Sequence, residues 1–347
     1  MIGRIPADTW IGQRRSSTDG TMGDKPNRAK VSVALVGIGP TWELHYRDAI
    51  ERLSSKLHIR AVCDSVVLRA ASVAEEFDAT AVTCPWNLVQ RNDLHAWLIL
   101  DPGWFETYPA DLAARHGRPA LFANTFTSPL PRLTQVIQRS MERGETLMPE
   151  FPARFTPSTT RLRELMATKL GRVQKIQATL PSPASAATSL TEPNELAEWM
   201  RQNQAELISL FDWCAWLIGS PCTEVRFHMS PSGPQWELQF APRSGTAEPP
   251  PVAFIGWGAD AGQQVKCEAG TAILGSTTQI AWKTGAEEHQ EILSGERSPY
   301  EIILDQFCRR ALGGLVPVPT LAQALQAIAT AERAYAAITA FEQAKRR

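Results

Sequence analysis

The feature that most narrows what this chain can fold into is a short run of apolar and β-branched residues closed by glycine. Val31-Ser-Val-Ala-Leu-Val36 ends at Gly37, and a continuous apolar run of this length before a turn residue predicts a parallel strand buried on both faces. The pattern then repeats. A helical segment through about Leu57 leads to a strand at His58–Asp64, a helix at Leu68–Phe77, a short strand at Ala79–Thr83 and a strand at Leu94–Leu100. A helix at Thr107–His116 and a strand at Pro119–Ala123 follow. Strands alternating with helices at this spacing are covered on both faces only if the helices wind onto two sides of one sheet. Residues 31–147 therefore predict an α/β domain with a doubly wound parallel sheet of Rossmann type.

The texture changes after about Leu147. A short helix at Arg161–Thr168, a strand at Arg172–Leu180 and a long helix at Glu195–Ile218 precede six closely spaced strand candidates: Thr223–Met229, Trp236–Phe240, Val252–Trp257, Gln264–Glu268, Thr271–Leu274 and Thr278–Lys283. Turns such as Ser232-Gly-Pro234 separate them, so residues 148–347 predict an α+β domain with a large open, mainly antiparallel sheet. Alanine-rich helices near Tyr300–Leu312 and Leu321–Gln343 end the chain, the last placed to brace the first domain. Residues 1–30 show no helical or strand period and read as a flexible tail, with Met22 a candidate start.

Composition excludes several classes of function. The 347 residues suit two domains. Thirty-five Lys and Arg against 36 Asp and Glu leave a net charge of −1, which provides no broad positive field for nucleic acid or an anionic membrane. No run of about 18 apolar residues and no charged head followed by an apolar core is present, so neither a spanning helix nor a secretory signal is expected, and a cytoplasmic location is. The six cysteines form no C-x-x-C pair and have no histidines at ligand spacing; free, mostly buried thiols and no metal site are expected. Among the histidines, His45 and His116 read as helix-end residues rather than ligands.

Gly37-Ile38-Gly39-Pro40-Thr41-Trp42 sits directly between the first predicted strand and the first helix, where backbone N–H groups can meet a pyrophosphate. Gly37 permits the tight turn and Gly39 a close approach to phosphate. The third position, ordinarily glycine or alanine, is Trp42. Asp64, at the end of the second strand, stands where a carboxylate accepts hydrogen bonds from an adenosine ribose, and an acid there favours NAD over NADP. The competing reading is structural: the glycines shape a turn and Asp64 caps the next helix.

Further fragments fall in a definite order. Ala61-Val-Cys-Asp64, Leu100-Asp-Pro102, Gly117-Arg-Pro-Ala-Leu121, Arg154-Phe155 with Pro157, Leu170-Gly171 and Trp216-Leu-Ile-Gly219 together resemble the glucose–fructose oxidoreductase / inositol dehydrogenase (Gfo/Idh/MocA) family, from about Val31 to the C-terminus. The resemblance implies an N-terminal dinucleotide-binding domain in which Pro102 joins the cofactor contacts. It also implies hydride transfer between NAD(P) and a sugar, polyol or related alcohol, and homo-oligomers paired through the C-terminal sheet.

The catalytic positions depart from the family pattern. The family's Glu-Lys-Pro aligns with Ala123-Asn124-Thr125, its His-x-x-Asp with Ser209-Leu-Phe-Asp212, and its Asn and His after the fourth strand with Gly103 and Glu106. The resemblance thus puts Asn124 and Asp212 at catalytic positions, with Ser209 and Arg154 beside a substrate. Lysine and imidazole general acid–base groups are each worth about 10²–10⁴-fold in rate, and both are replaced. Asp212 could act as base if burial raised its pKa, or it could serve as a structural partner. Two functions remain: an oxidoreductase with altered catalytic groups, or a catalytically inactive ligand-binding sensor or regulatory partner on the same fold.

Overall fold

A computed structural model of the chain describes residues 30–123, 125–144, 146–181, 193–230, 233–242, 249–258 and 262–345. The expected tail except Lys30, with Met22 in it, and Asn124 lie outside the described residues. Six strands, β1 (Val31–Val36), β2 (Leu57–Cys63), β3 (Thr80–Val82), β4 (Ala96–Ile99), β5 (Ala120–Phe122) and β6 (Leu147–Pro149), form one sheet in the order β3-β2-β1-β4-β5-β6. All its pairings are parallel. This is the doubly wound order, with a switch point between β1 and β4.

Every residue of β1 is buried, and its alternating side chains divide between two cores. Ala34 and Val36 pack with Trp97, Leu133 and Ile137 beneath α4 (Tyr108–Arg115) and α5 (Leu130–Glu142). Val33 and Leu35 pack on the other face with Ile50 of α1 (Arg47–Arg52) and Val73 of α2 (Val67–Glu76). Each buried valine, leucine or isoleucine among them contributes about 1.5–3 kcal/mol by leaving water. A short α3 spans Trp86–Val89.

The second sheet has eight strands: β7 (Val173–Pro181), β8 (Cys222–Ser230), β9 (Gly233–Phe240), β10 (Val252–Gly258), β11 (Gly262–Cys267), β12 (Thr271–Ser276), β13 (Gln279–Thr284) and β14 (Glu287–Ile292). Their order is β14-β13-β12-β11-β7-β10-β9-β8. Only β7 and β10 run parallel; the other pairs are antiparallel. Helices α6 (Pro157–Leu165), α8 (Gln204–Ile218) and α10 (Leu321–Lys345) cover one face, over Ile176, Trp236, Leu238, Ile255, Val265 and Ile280. The register sets Gln264, Gln177 and Glu237 beside Ile273 and Phe254 on the opposite face.

The C-terminal helices tie the two sheets together. From α9 (Pro299–Ala311), Ile303, Leu304, Phe307 and Cys308 complete the core around Val33 and Leu35. Arg52 pairs with Glu301 at 2.7 Å, and Lys56 pairs with Asp305. α10 packs on α8 and β8 and reaches α5 and β6.

Several elements differ from the sequence reading, which gives no element to α3 or to the thirteen residues of α5. The single helix expected over 195–218 is two, α7 (Pro193–Gln202) and α8, separated at Asn203, whose side-chain amide donates to the Trp199 carbonyl at 2.8 Å. That local bond competes with helix continuation. β6 joins the first sheet across the expected boundary at 147. β14, Glu-Glu-His-Gln-Glu-Ile, lacks apolar alternation because it is an edge strand with almost wholly exposed side chains.

Candidate functional site

In a doubly wound sheet the binding crevice opens beyond the carboxyl ends of the strands, at the switch point. Here that point is filled from both sides. Gly37, at φ 84°, follows β1, and Asp101 follows β4. A Cβ at Gly37 would lie 2.0 Å from the Asp101 carbonyl oxygen and 2.7 Å from the Pro102 nitrogen; one at Gly39 would lie 2.9 Å from the Asp101 Cβ. The two glycines are therefore required by the chain leaving β4.

Four N–H groups of the loop and the helix start, those of Gly37, Ile38, Trp42 and Glu43, have internal acceptors. Gly37 donates to the Cys63 carbonyl at 2.8 Å and Glu43 to the Gly39 carbonyl at 3.1 Å. Trp42 donates to Asp101 Oδ2 at 3.1 Å. Ile38 donates to Asp64 Oδ2 at 2.8 Å, and the other Asp64 oxygen accepts the Val66 N–H at 2.8 Å, at the start of α2. Asp64 thus spans the glycine loop and the next helix, buried, while Arg69 donates to the Ile38 carbonyl at 2.7 Å. The Trp42 indole is fully buried against the edge of Phe77, and the helix opens with a π turn at Trp42–Tyr46.

Beside this loop, between the two sheets, lies a cleft of about 650 Å³, within the range of small-molecule sites. Eight serine and threonine side chains line it, among them Thr41, Ser158, Thr179 and Ser209, together with Gln263, Phe126 and Trp213. Its ionisable groups are His45, Glu150, Glu206 and Tyr300; among the described residues no Lys or Arg lines it. Thr156 caps α6 by accepting the Thr159 N–H at 3.3 Å, and Thr159 accepts the Trp213 indole N–H at 3.1 Å.

Four aromatic and acidic groups converge at one end of the cleft. The Tyr46 hydroxyl donates to Glu150 Oε1 at 2.5 Å. Tyr300 stacks on His45 with ring centres 4.2 Å apart and meets Tyr46 edge-on at 5.3 Å. Burial, and then the Glu150 carboxylate, push the Tyr46 and Tyr300 phenols above their ordinary pKa. Both are held as neutral donors beside a carboxylate.

The expected site residues separate. Ser209 and Thr41 line the cleft, but Asp212 and Arg154 face each other outside its lining. Arg154 Nε and Nη2 donate to the two Asp212 carboxylate oxygens at 2.7 and 2.5 Å, and Nη1 donates to Gln323 at 3.0 Å. Burial raises the Asp212 pKa although the guanidinium pulls it down. This pair borders a smaller cavity of about 260 Å³ against α10. Glu106, at φ 46°, pairs with Arg132 at the surface, and Asn124 is outside the described residues. No group of three or more His, Cys, Asp or Glu able to hold a metal occurs among the described residues, and none of their helices is long and apolar enough to cross a membrane.

Sequence reasoning missed Glu150, His45 and Tyr300. Glu150 follows β6, so the carboxyl-end rule would have singled it out had Leu-Met-Pro been read as a strand. His45 reads from the sequence as a helix-end residue. Tyr300 arrives from α9 and carries no local signal.

No family model and no curated protein matches the sequence. Among solved structures, the chain is similar to a UDP-N-acetylglucosamine 3-dehydrogenase from Acidithiobacillus ferrooxidans, at 17% identity over 90% of this chain and 99% of that one, with a TM-score of 0.67. It is similar to a levoglucosan dehydrogenase in complex with NADH and levoglucosan, at 13% identity over 90% and 98%, TM-score 0.68. A Gfo/Idh/MocA family oxidoreductase from Vibrio cholerae matches at 13% identity over 90% and 100%, also with TM-score 0.68. The chain has the fold of the Gfo/Idh/MocA oxidoreductases. A shared fold does not by itself carry chemistry, and on this Gfo/Idh/MocA fold the cleft has its own set of polar groups.

Proposed function

We propose that the protein captures a neutral, polyhydroxylated small molecule, a sugar or polyol, in the cleft between its two sheets, without oxidising it. The observation that carries the reading is the lining: hydroxyls, carboxylates, one imidazole and one phenol, with no Lys or Arg among the described residues. Such a wall offers acceptors and donors to ligand hydroxyls and Trp213 and Phe126 to its C–H faces, but no cation for a phosphate or carboxylate. Glu150, oriented by Tyr46, accepts a ligand hydroxyl; His45 and Ser209 supply further hydrogen bonds. One of the similar structures is a complex with the neutral sugar levoglucosan, which supports the ligand class.

Capture without turnover is favoured over hydride transfer because the retained carboxylate, Asp212, is bound by Arg154 and lies outside the cleft lining. Pairing of two copies through the open sheet belongs to the same proposal, with Ile273 and Phe254 as its apolar contacts. Light scattering giving a dimer for the wild type and a monomer for Ile273→Lys supports it, and a wild-type monomer refutes it.

The test is a thermal-shift panel of neutral sugars and polyols against sugar phosphates and sugar acids, each with NAD or NADP present. Saturable stabilisation by a neutral member, lost in Glu150→Gln, with no change in nicotinamide absorbance, is expected. Stabilisation confined to the anionic ligands, or dinucleotide reduction with any alcohol, contradicts the proposal.

A further inference from the structure

We propose that Asp101 is a built-in occupant of the phosphate position, so that the glycine loop receives a carboxylate of its own chain in place of a nicotinamide dinucleotide. In folds of this kind the pyrophosphate rests on N–H groups of the glycine loop and of the helix start, and the second glycine leaves room for it. In this protein the Trp42 N–H at the helix start donates to Asp101 Oδ2 at 3.1 Å. The room beside Gly39 holds the Asp101 side chain, its Cβ, Cγ and Oδ2 lying 2.9, 3.0 and 3.2 Å from where a Cβ would be. The glycine spacing that signals a dinucleotide is thus accounted for by contact with the β4 exit.

The surroundings agree. Gly37, Ile38 and Glu43 spend their N–H groups on Cys63, Asp64 and Gly39, and Pro40 has none to give. A pyrophosphate placed here would meet the Asp101 carboxylate, and the neighbouring cation, Arg69, already donates to the Ile38 carbonyl and pairs with Asp64 at 3.8 Å. Like charges at such range disfavour one another strongly. The buried Trp42 indole stands at the residue whose usual smallness lets helix and strand close together. The residues present do not fit the dinucleotide that the fold implies.

The inference goes beyond the ligand of the cleft, and its test is separate. The full-length protein is titrated with NADH and NADPH by tryptophan quenching and with NAD and NADP by calorimetry, alongside Asp101→Ala. The wild type is expected to show no saturable binding at millimolar concentration. Asp101→Ala, which uncovers the Trp42 N–H and removes one charge, is expected to bind at least one dinucleotide about tenfold more tightly or better. Micromolar binding by the wild type overturns the proposal, and so does a folded Asp101→Ala that binds no better than the wild type. If the variant does not fold, the wild-type titration decides alone.

Discussion

Arg154 and Asp212 bind each other side-on, two guanidinium nitrogens against two carboxylate oxygens at 2.7 and 2.5 Å, with both side chains almost wholly buried. The pair joins the segment after β6 to α8, and Gln323 extends it to α10. Removing one member of such a pair leaves an uncompensated buried charge, costing about 3–5 kcal/mol. Asp212→Asn should therefore lower unfolding stability by about that amount in urea titrations while leaving ligand affinity in the cleft unchanged. A variant of normal stability with altered ligand binding would instead place Asp212 in the cleft's chemistry.

Tyr46 holds Glu150 from inside the core. Tyr46→Phe deletes a hydrogen bond to a charged group, worth about 1.5–3 kcal/mol, with little change in shape. Urea unfolding should show a loss of that size. The same variant should weaken ligand binding, because Glu150 loses the donor that orients it. A loss of stability with intact affinity would separate Glu150 from recognition.

Alkaline pH should unfold the protein through its buried acids. Burial pushes the Cys63 and Cys308 thiols up to about 12, and burial also raises Tyr46 and Tyr300. A raised folded-state pKa keeps the neutral form, so the stability is present below the ordinary thiol value and is lost as pH climbs from there toward the folded value. Each thiol contributes about 1.4 kcal/mol per pH unit in that window. Melting temperatures in reductant should fall steeply above about pH 9, less so in Cys63→Ala. A flat profile would contradict the burial.

The docking of α9 should loosen in acid. Although burial opposes it, Lys56, Arg309 and Arg297 hold the Asp305 carboxyl below its ordinary pKa. A depressed carboxyl contributes stability that is present above its unfolded value and lost as pH falls through its folded one. Hydrogen-exchange protection factors in α9, referred to the intrinsic rate at each pH, should fall on acidification, and Asp305→Asn should show the lower protection already at neutral pH.

Much of the fold was legible because the central strands of the first sheet, β1 and β4, are buried on both faces and announce themselves as apolar runs. β14 was not, since an exposed edge strand is free to be charged, and β6 was too short to carry a period. The site was harder to read. Glycines at 37 and 39 have the same spacing whether they make room for a phosphate or for Asp101, and only the β4 exit packed against them distinguishes the cases. Asp64 likewise lies at ribose-binding spacing but is spent on Ile38 and Val66. His45, Glu150 and Tyr300 meet from three distant parts of the chain, and no local pattern records such a meeting.

The most direct measurement is a crystal structure of the protein grown with a neutral sugar or polyol and NADH together. The account predicts the polyol in the cleft, within hydrogen-bond distance of Glu150, with the Asp101 carboxylate still on the Trp42 N–H and no dinucleotide on the loop. NADH lying along Gly37–Gly39 with Asp101 turned away, or a cleft without the polyol, would contradict it.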